Sequence, residues 1–281
     1  MALRPHRREV VLFLIALILP SAVLVGLGLR MIAQERVAAE ARVADEWGGT
    51  VRQIRLDLLS RLESIMPLQN RVTPFGEIVA VRDRGSFMGN RGRIHNEQRE
   101  LKPRHWERKA WITCLLEFKE RHRRVMAPST YTELFFLDEA TSFAAGHRPC
   151  AECRHSDAKR FKNLWLEANG ALLQGKAGKM SNMDAVIHSE RIRADGTQRR
   201  WEARICDLPD GVMVLADDPT TAFLLRRGCL YRWSPAGYVE KKAVPSGQTV
   251  TVLTPASVTG VLTAGYRPVV HQSIDALTTA Q

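Results

Sequence analysis

No P-loop, no dinucleotide-binding glycine fingerprint, no nucleophile elbow and no His-Glu-x-x-His occurs in the 281 residues. The common sequence signatures of nucleotide, serine-hydrolase and metalloprotease chemistry are therefore missing, and no small-molecule substrate can be named. Cysteine is scarce. The five are Cys114, Cys150, Cys153, Cys206 and Cys229, and an odd number at irregular spacing is not a disulfide framework. Cys206 and Cys229 lie in apolar runs, "EARICDL" and "RRGCLYRW", and read as small buried thiols. Acid is also short. There are 41 Lys and Arg against 30 Asp and Glu, a net +11 with a pI near 9.9. That balance suits anionic partners such as nucleic acid or lipid headgroups, and equally a solvated basic face.

What is present begins with an uncharged run, "VVLFLIALILPSAVLVGLGL", at residues 10–29. As a helix it would be about 30 Å long, enough to cross the hydrocarbon core, and Pro20 is tolerable in such a helix. It predicts an uncleaved single-pass anchor in a bacterial-type inner (plasma) membrane, since the run is long for a signal peptide and no small-x-small cleavage site follows. Arg4, Arg7 and Arg8 place the N-terminus in the cytoplasm, while Arg30, Arg36 and Arg42 beyond the run leave little charge asymmetry. An Ala- and Glu-rich stretch then reads as helix until Gly48-Gly49 interrupts it. Val51, Ile54, Leu58, Leu62 and Ile65 recur at helical steps, a stripe fit for a partner helix or for packing on the rest of the chain. In pattern, residues 1–65 resemble the start of a bacterial sensor histidine kinase. No phosphoacceptor helix, ATP lid or second span follows.

At "SIMPLQNRVTPFGE" the helical period stops and proline and glycine take over. The seam at Met66 suggests a self-contained module beginning there, joined to an unrelated membrane segment. The expected class is α+β: a transmembrane and amphipathic helix over 1–65, a zinc-knuckle-like α+β module over 66–170, and a β-rich module over 184–275.

The chemistry centres on "GHRPCAECR", residues 146–154. "TELFFL" reads as a strand, Asp138 caps the helix "EATSFAA", and Gly146 ends it. Cys150 and Cys153 then fall in a turn before a helix capped by Ser156, with Phe161, Leu164, Trp165 and Ala168 on its apolar face. A Cys-x-x-Cys turn leading into a helix is a recurrent zinc-knuckle geometry, with Arg148 and Arg154 placed to favour thiolate. A redox dithiol and two unligated thiols are the alternatives.

"ELFFLDEATSFAAGHRPCAECR" resembles the second half of the Ada-type zinc-binding domain, the methylphosphotriester-repair module. The resemblance covers about twenty-two residues. It implies a zinc held by four cysteines, one of the first pair being a methyl acceptor. Here Cys150 and Cys153 match the second pair, Cys114 in "WITCLLEFKE" stands alone for the first, and Phe118 occupies the place of the other cysteine. A histidine could complete the ligands. His95, in "GNRGRIHNEQ", is the first choice, ahead of His105, His122, His147 and His155. Four protein ligands would make the zinc structural. Reduced zinc thiolates suit the cytosol, which sets the knuckle against the outward orientation of the anchor.

Beyond residue 183, "WEARICDLPDGVMVLAD" reads as a hairpin, "AFLLRRGCLYRWSPAGYVEKK" as another strand pair, "GQTVTVLT" as a strand and "ASVTGVLTA" as a helix begun by Pro255. Glu190, Glu202, Asp207 and His188 form no acid–base pair by spacing. Trp201, Tyr231, Trp233 and Tyr238 among arginines could stack on bases or serve as core and rim of a small β fold. The expectation is a non-enzymatic zinc-binding protein with nucleic acid as partner. The alternatives are an enzyme on nucleic acid, by methyl transfer to Cys114 or by hydrolysis, and a signalling remnant.

Overall fold

The computed structural model describes the backbone of residues 5–65, 67–120, 124–216, 218–244 and 247–279, with side chains except at 5–26, 56 and 59–65. The chain divides into two compact units, Met1–Met66 and Pro67–Gln281.

The first unit is one helix, α1 (Pro5–Ile65), 61 residues long. Gly48-Gly49 does not break it: two glycines cost about 1 kcal/mol each against alanine, and the flanking Ala, Glu and Arg are good helix formers. Val51, Ile54 and Leu58 are exposed on it, and the side chains of Leu62 and Ile65 lie outside the described residues. Among the described residues no helix is long and apolar enough to cross a membrane. This overturns the membrane anchor expected at residues 10–29 and the inner-membrane localisation built on it. The described side chains, residues 27–58, include ten Asp, Glu or Arg, a spacing no apolar window survives; those of residues 10–26 lie outside the description.

The second unit is α+β and holds two six-stranded sheets. The first comprises β1 (Gln69–Val72), β2 (Ile78–Ala80), β3 (Phe87–Asn90), β4 (Ile112–Cys114), β5 (Leu134–Phe136) and β6 (Arg148–Pro149), in the order β2-β1-β5-β3-β4-β6. Only β1–β5 and β4–β6 are parallel pairs. Three helices follow or interrupt these strands: α2 (Glu139–Ala144), α3 (His155–Asn169) and α4 (Met180–Arg191). The second sheet comprises β7 (Trp201–Arg204), β8 (Met213–Leu215), β9 (Ala222–Arg226), β10 (Cys229–Ser234), β11 (Gly237–Ala243) and β12 (Thr249–Val252), all antiparallel, closed off by α5 (Ala256–Thr263) and α6 (Ser273–Thr279). The expected 201–217 hairpin does not form. β12 lies between β7 and β8 and pairs with both.

The sheets share one interior through α2, every residue of which is buried. Asp138 caps it, accepting from the Thr141 amide at 2.8 Å, and the other carboxylate oxygen takes the Tyr238 hydroxyl at 2.7 Å and the His271 amide at 3.1 Å. Gly146 ends the helix at φ +78, the left-handed conformation that favours glycine. Phe143 of α2, with Phe161 and Trp165 of α3, packs on Val214, Phe223, Val250 and Val261, so truncating Trp165 would cost roughly 3–5 kcal/mol. α3 begins at His155 with Arg154 at its cap position and no side-chain cap bond, so Ser156 does not serve as the cap. The second sheet's tyrosines are interior: Tyr231 and Tyr238 are buried. Trp201 and Trp233 are half-buried and donate to Thr254 O and Thr141 Oγ1.

Candidate metal centre

Strand pairing brings the first two sulfurs together. β4 and β6 are parallel, with Thr113 opposite Pro149, and the Cys150 amide donates to the Thr113 carbonyl at 2.9 Å. Cys114 is the last residue of β4 and Cys150 the first after β6, so the register alone sets them side by side. The turn after Cys150 returns Cys153 to the same place. Its cause is local: the amides of Glu152 (3.4 Å) and Cys153 donate to Cys150 Sγ, and the Leu115 amide donates to Cys153 Sγ.

The sulfurs of Cys114, Cys150 and Cys153 all lie within 4.8 Å of one another, a group that could hold a metal ion. Tetrahedral thiolates around zinc stand about 3.8 Å apart, given Zn–S bonds of about 2.3 Å, so the spacing fits. Without metal, the negative charge gathers on Cys150. Hydrogen bonding from Cys114, and then from the Cys153 and Glu152 amides, draws its thiol down to about 5 against the opposing effect of burial. Cys114, as donor to Cys150 and buried, is pushed far up, and burial pushes Cys153 up.

Arg148 and Arg154 do not face the thiols as counter-charges. Arg148 forms a two-pronged pair with Asp184 of α4, at 2.7 and 2.8 Å, and Arg154 joins Glu139 at 2.6 Å and Asp157 at 2.8 Å. Both pairings are buried on the arginine side. They lock the cysteine turn onto α4 and α2, a positioning role in place of the electrostatic one expected.

His95 is not part of the sulfur group. It is buried, with Nδ1 2.6 Å from Thr132 Oγ1 and Nε2 3.1 Å from the Ala127 carbonyl. Because the Ala127 carbonyl can only accept, Nε2 carries the proton and the Thr132 hydroxyl donates to Nδ1. Both ring nitrogens are therefore committed and neither lone pair is free for a metal. His147 is fully buried, its Nε2 receiving Arg91 Nε at 3.3 Å, and His155 is exposed with Nδ1 3.3 Å from Ala151 O. His105 lines a different cavity. His122 lies outside the described residues, and among the described residues no fourth His, Cys, Asp or Glu joins the three sulfurs.

The sulfurs form part of the wall of a cleft of about 440 Å³, shared with Met88, Ile112, Phe118, Val125 and Glu133. Glu133, at 2 % exposure, was not anticipated as a site residue. Its Oε2 accepts from the Met126 amide at 2.7 Å, and its Oε1 has no hydrogen-bond partner. The only sequence signal was an acid opening an apolar strand, "ELFFL". Cys206, expected inside, is exposed, and Cys229 is half-buried. Comparison with known proteins returns no match to a family model, to a curated protein or to a solved structure.

Proposed function

We propose that the chain is a zinc-thiolate protein in which Cys114, Cys150 and Cys153 bind one ion and the fourth coordination position faces the cleft. The observation that carries this reading is the placement of the three sulfurs in the cleft wall. Three thiolates are soft donors suited to zinc, and a site with three protein ligands and one open position is the arrangement used for ligand capture and hydrolysis, in contrast to a closed four-ligand structural site. When bound, zinc acts as a Lewis acid and lowers the pKa of a coordinated water to about 7. The chain's own contribution is positional. Amides of Leu115, Glu152 and Cys153 steady the sulfurs, Met88, Ile112 and Val125 keep the wall apolar, and Glu133 lines the same cleft with a buried Oε1 that has no hydrogen-bond partner. Hydrolysis is the reaction class these groups suit.

Cobalt substitution tests the reading. The purified chain should bind about one ion, and its cobalt spectrum should shift when imidazole or a small thiol is added. A spectrum indifferent to added ligands but changed by His122→Ala would mean a closed site and would overturn the open position.

The charge balance favours nucleic acid as the partner, since 41 basic against 30 acidic residues give +11. Oligonucleotide affinity should then fall steeply between 50 and 200 mM salt, on the order of tenfold or more. Salt-independent affinity, or none at all, would remove this reading.

A further inference from the structure

The strands that end on the sulfurs at one side end on arginine and tryptophan at the other. Arg91 directly follows β3, Trp111 directly precedes β4, and Arg191 is the last residue of α4. The two guanidinium carbons lie 3.9 Å (Arg91) and 3.7 Å (Arg191) from the centre of the Trp111 ring. Both arginines are buried, at 2 % and 3 % exposure. They help to enclose a cavity of about 270 Å³ with Trp106 and Gln198.

Buried arginines usually meet a carboxylate, as Arg148 and Arg154 do here. These two do not. Arg91 donates to His147 Nε2 (3.3 Å) and the Gly76 carbonyl (3.2 Å). Arg191 donates to the carbonyls of Gly146 and Lys109 (2.6 Å each) and contacts His188 Nδ1 at 2.7 Å. Every one of these partners is neutral or shielded. His147 and His188 are held down by burial and then by the arginines themselves, His188 to about 4. Asp184 is taken by Arg148. Asp195, at the cavity's edge, is exposed and engaged by Thr197. Stacking on one indole offsets part of the cost of burying two like charges, and leaves the charge uncancelled.

Donors are left over as well. Arg91 Nη2, Arg191 Nε and Trp106 Nε1 are buried without a hydrogen-bond partner. Through Phe75, Gly76, His105 and Gln198, which line both, the cavity adjoins a wider groove of about 630 Å³ whose walls carry Arg193 and Arg200 along with Glu77 and Asp195.

We propose that this cavity binds the terminal phosphate of a phosphomonoester, with Arg91, Arg191 and Trp106 as donors and the groove holding the rest of the molecule. Two uncancelled positive charges match a phosphate dianion better than a carboxylate, and three donors match its three terminal oxygens. The ligand is either a mononucleotide-sized phosphate ester or the phosphorylated 5′ end of a nucleic acid strand. This site does not depend on the metal reading.

The test is calorimetric titration of the full chain with inorganic phosphate, with acetate and chloride at equal ionic strength as controls, supported by thermal melting. Phosphate should bind and raise the midpoint by several degrees, and acetate should do neither. Adenosine monophosphate, a 5′-phosphorylated oligonucleotide and its 5′-hydroxyl counterpart then identify the source. A strand end is indicated if the phosphorylated strand binds at least tenfold more tightly than both others, and a small ester if the mononucleotide matches it. Arg191→Gln should weaken phosphate by about tenfold to a hundredfold. Because losing a buried arginine can unfold the chain, Trp106→Phe is the second variant: it removes the unpartnered N–H and part of a ring that packs on Trp111 and His188, should leave the chain folded with a modestly lower ligand-free midpoint, and should weaken phosphate about tenfold. Phosphate binding no better than acetate, or unchanged in Trp106→Phe, overturns the proposal.

Discussion

The two ends of the β3–β4–β6 ladder make an instructive pair. One end presents Cys114 and Cys150 and the other Trp111 and His147, with Arg91 joining the second because β3 runs antiparallel to β4. The same register therefore builds both sites, within a few residues of one another. Their chemistry is opposite. The sulfur end collects soft, anionic donors around a space that suits a cation. The arginine end collects hard cations around a space that suits an anion. A short mixed sheet with a parallel edge pair can thus present two unrelated donor sets, because residues leaving parallel strands at equivalent positions arrive together however long the chain that connects the strands.

The largest expected effect separates the two ends outright. Cys150→Ser should reduce bound metal from about one ion per chain to near zero, since two thiolates hold zinc far less tightly than three, while phosphate binding stays within about twofold of wild type, as expected for sites with no shared partner. Metal analysis and titration on the same preparation read both, and joint loss would show that the ladder does not insulate its ends. Next comes the lock behind the sulfurs. Arg154→Met leaves Glu139 buried without its partner and should cost about 3–5 kcal/mol in denaturant unfolding, the two side chains being 3 % and 1 % exposed. The exposed Arg204–Asp207 pair should tolerate Arg204→Ala with no measurable change. Between these two lies Gly146→Ala. Its φ of +78 strains any L side chain, and the added Cβ would sit 2.3 Å from Arg191 Cδ. Roughly 2 kcal/mol of stability should go, with weakened phosphate binding and unchanged metal content, because the displaced side chain belongs to the arginine end alone.

The sulfur end was legible in the sequence for a local reason. Cys150 and Cys153 share one turn, Asp138 and Gly146 bracket the helix before it, and all four lie within residues 138–153. Cys114 entered only through the resemblance to the Ada-type domain, as the lone counterpart of its first cysteine pair. The arginine end was invisible. Arg91, Trp111 and Arg191 are separated by 20 and 80 positions, and nothing in an arginine's neighbours says that it will be buried unpaired. The hairpin at 201–217 failed for a related reason: β12 inserts between its arms, a pairing set by tertiary packing and not by the Pro-Asp-Gly turn. At the N-terminus the apolar run at 10–29 drew the reading toward a membrane, whereas the described part of α1 is an exposed, charge-studded helix.

The finest distinction concerns His95. A loop histidine near a cysteine pair is chemically an acceptable fourth ligand, and spacing offered nothing against it. The geometry does: one nitrogen is bound to the Thr132 hydroxyl and the other to the Ala127 carbonyl. His95→Phe would leave the Thr132 hydroxyl without its acceptor in a buried place, while the Ala127 carbonyl keeps the Thr130 amide and hydroxyl, so unfolding stability should fall by about 1–3 kcal/mol. Metal stoichiometry and the cobalt spectrum should not move, because no sulfur loses a neighbour. If the variant instead lost its metal while remaining folded, the hydrogen bonds to Thr132 and Ala127 would have to open in the loaded protein. His95 would then swing to the sulfurs, and the cleft would face a closed centre.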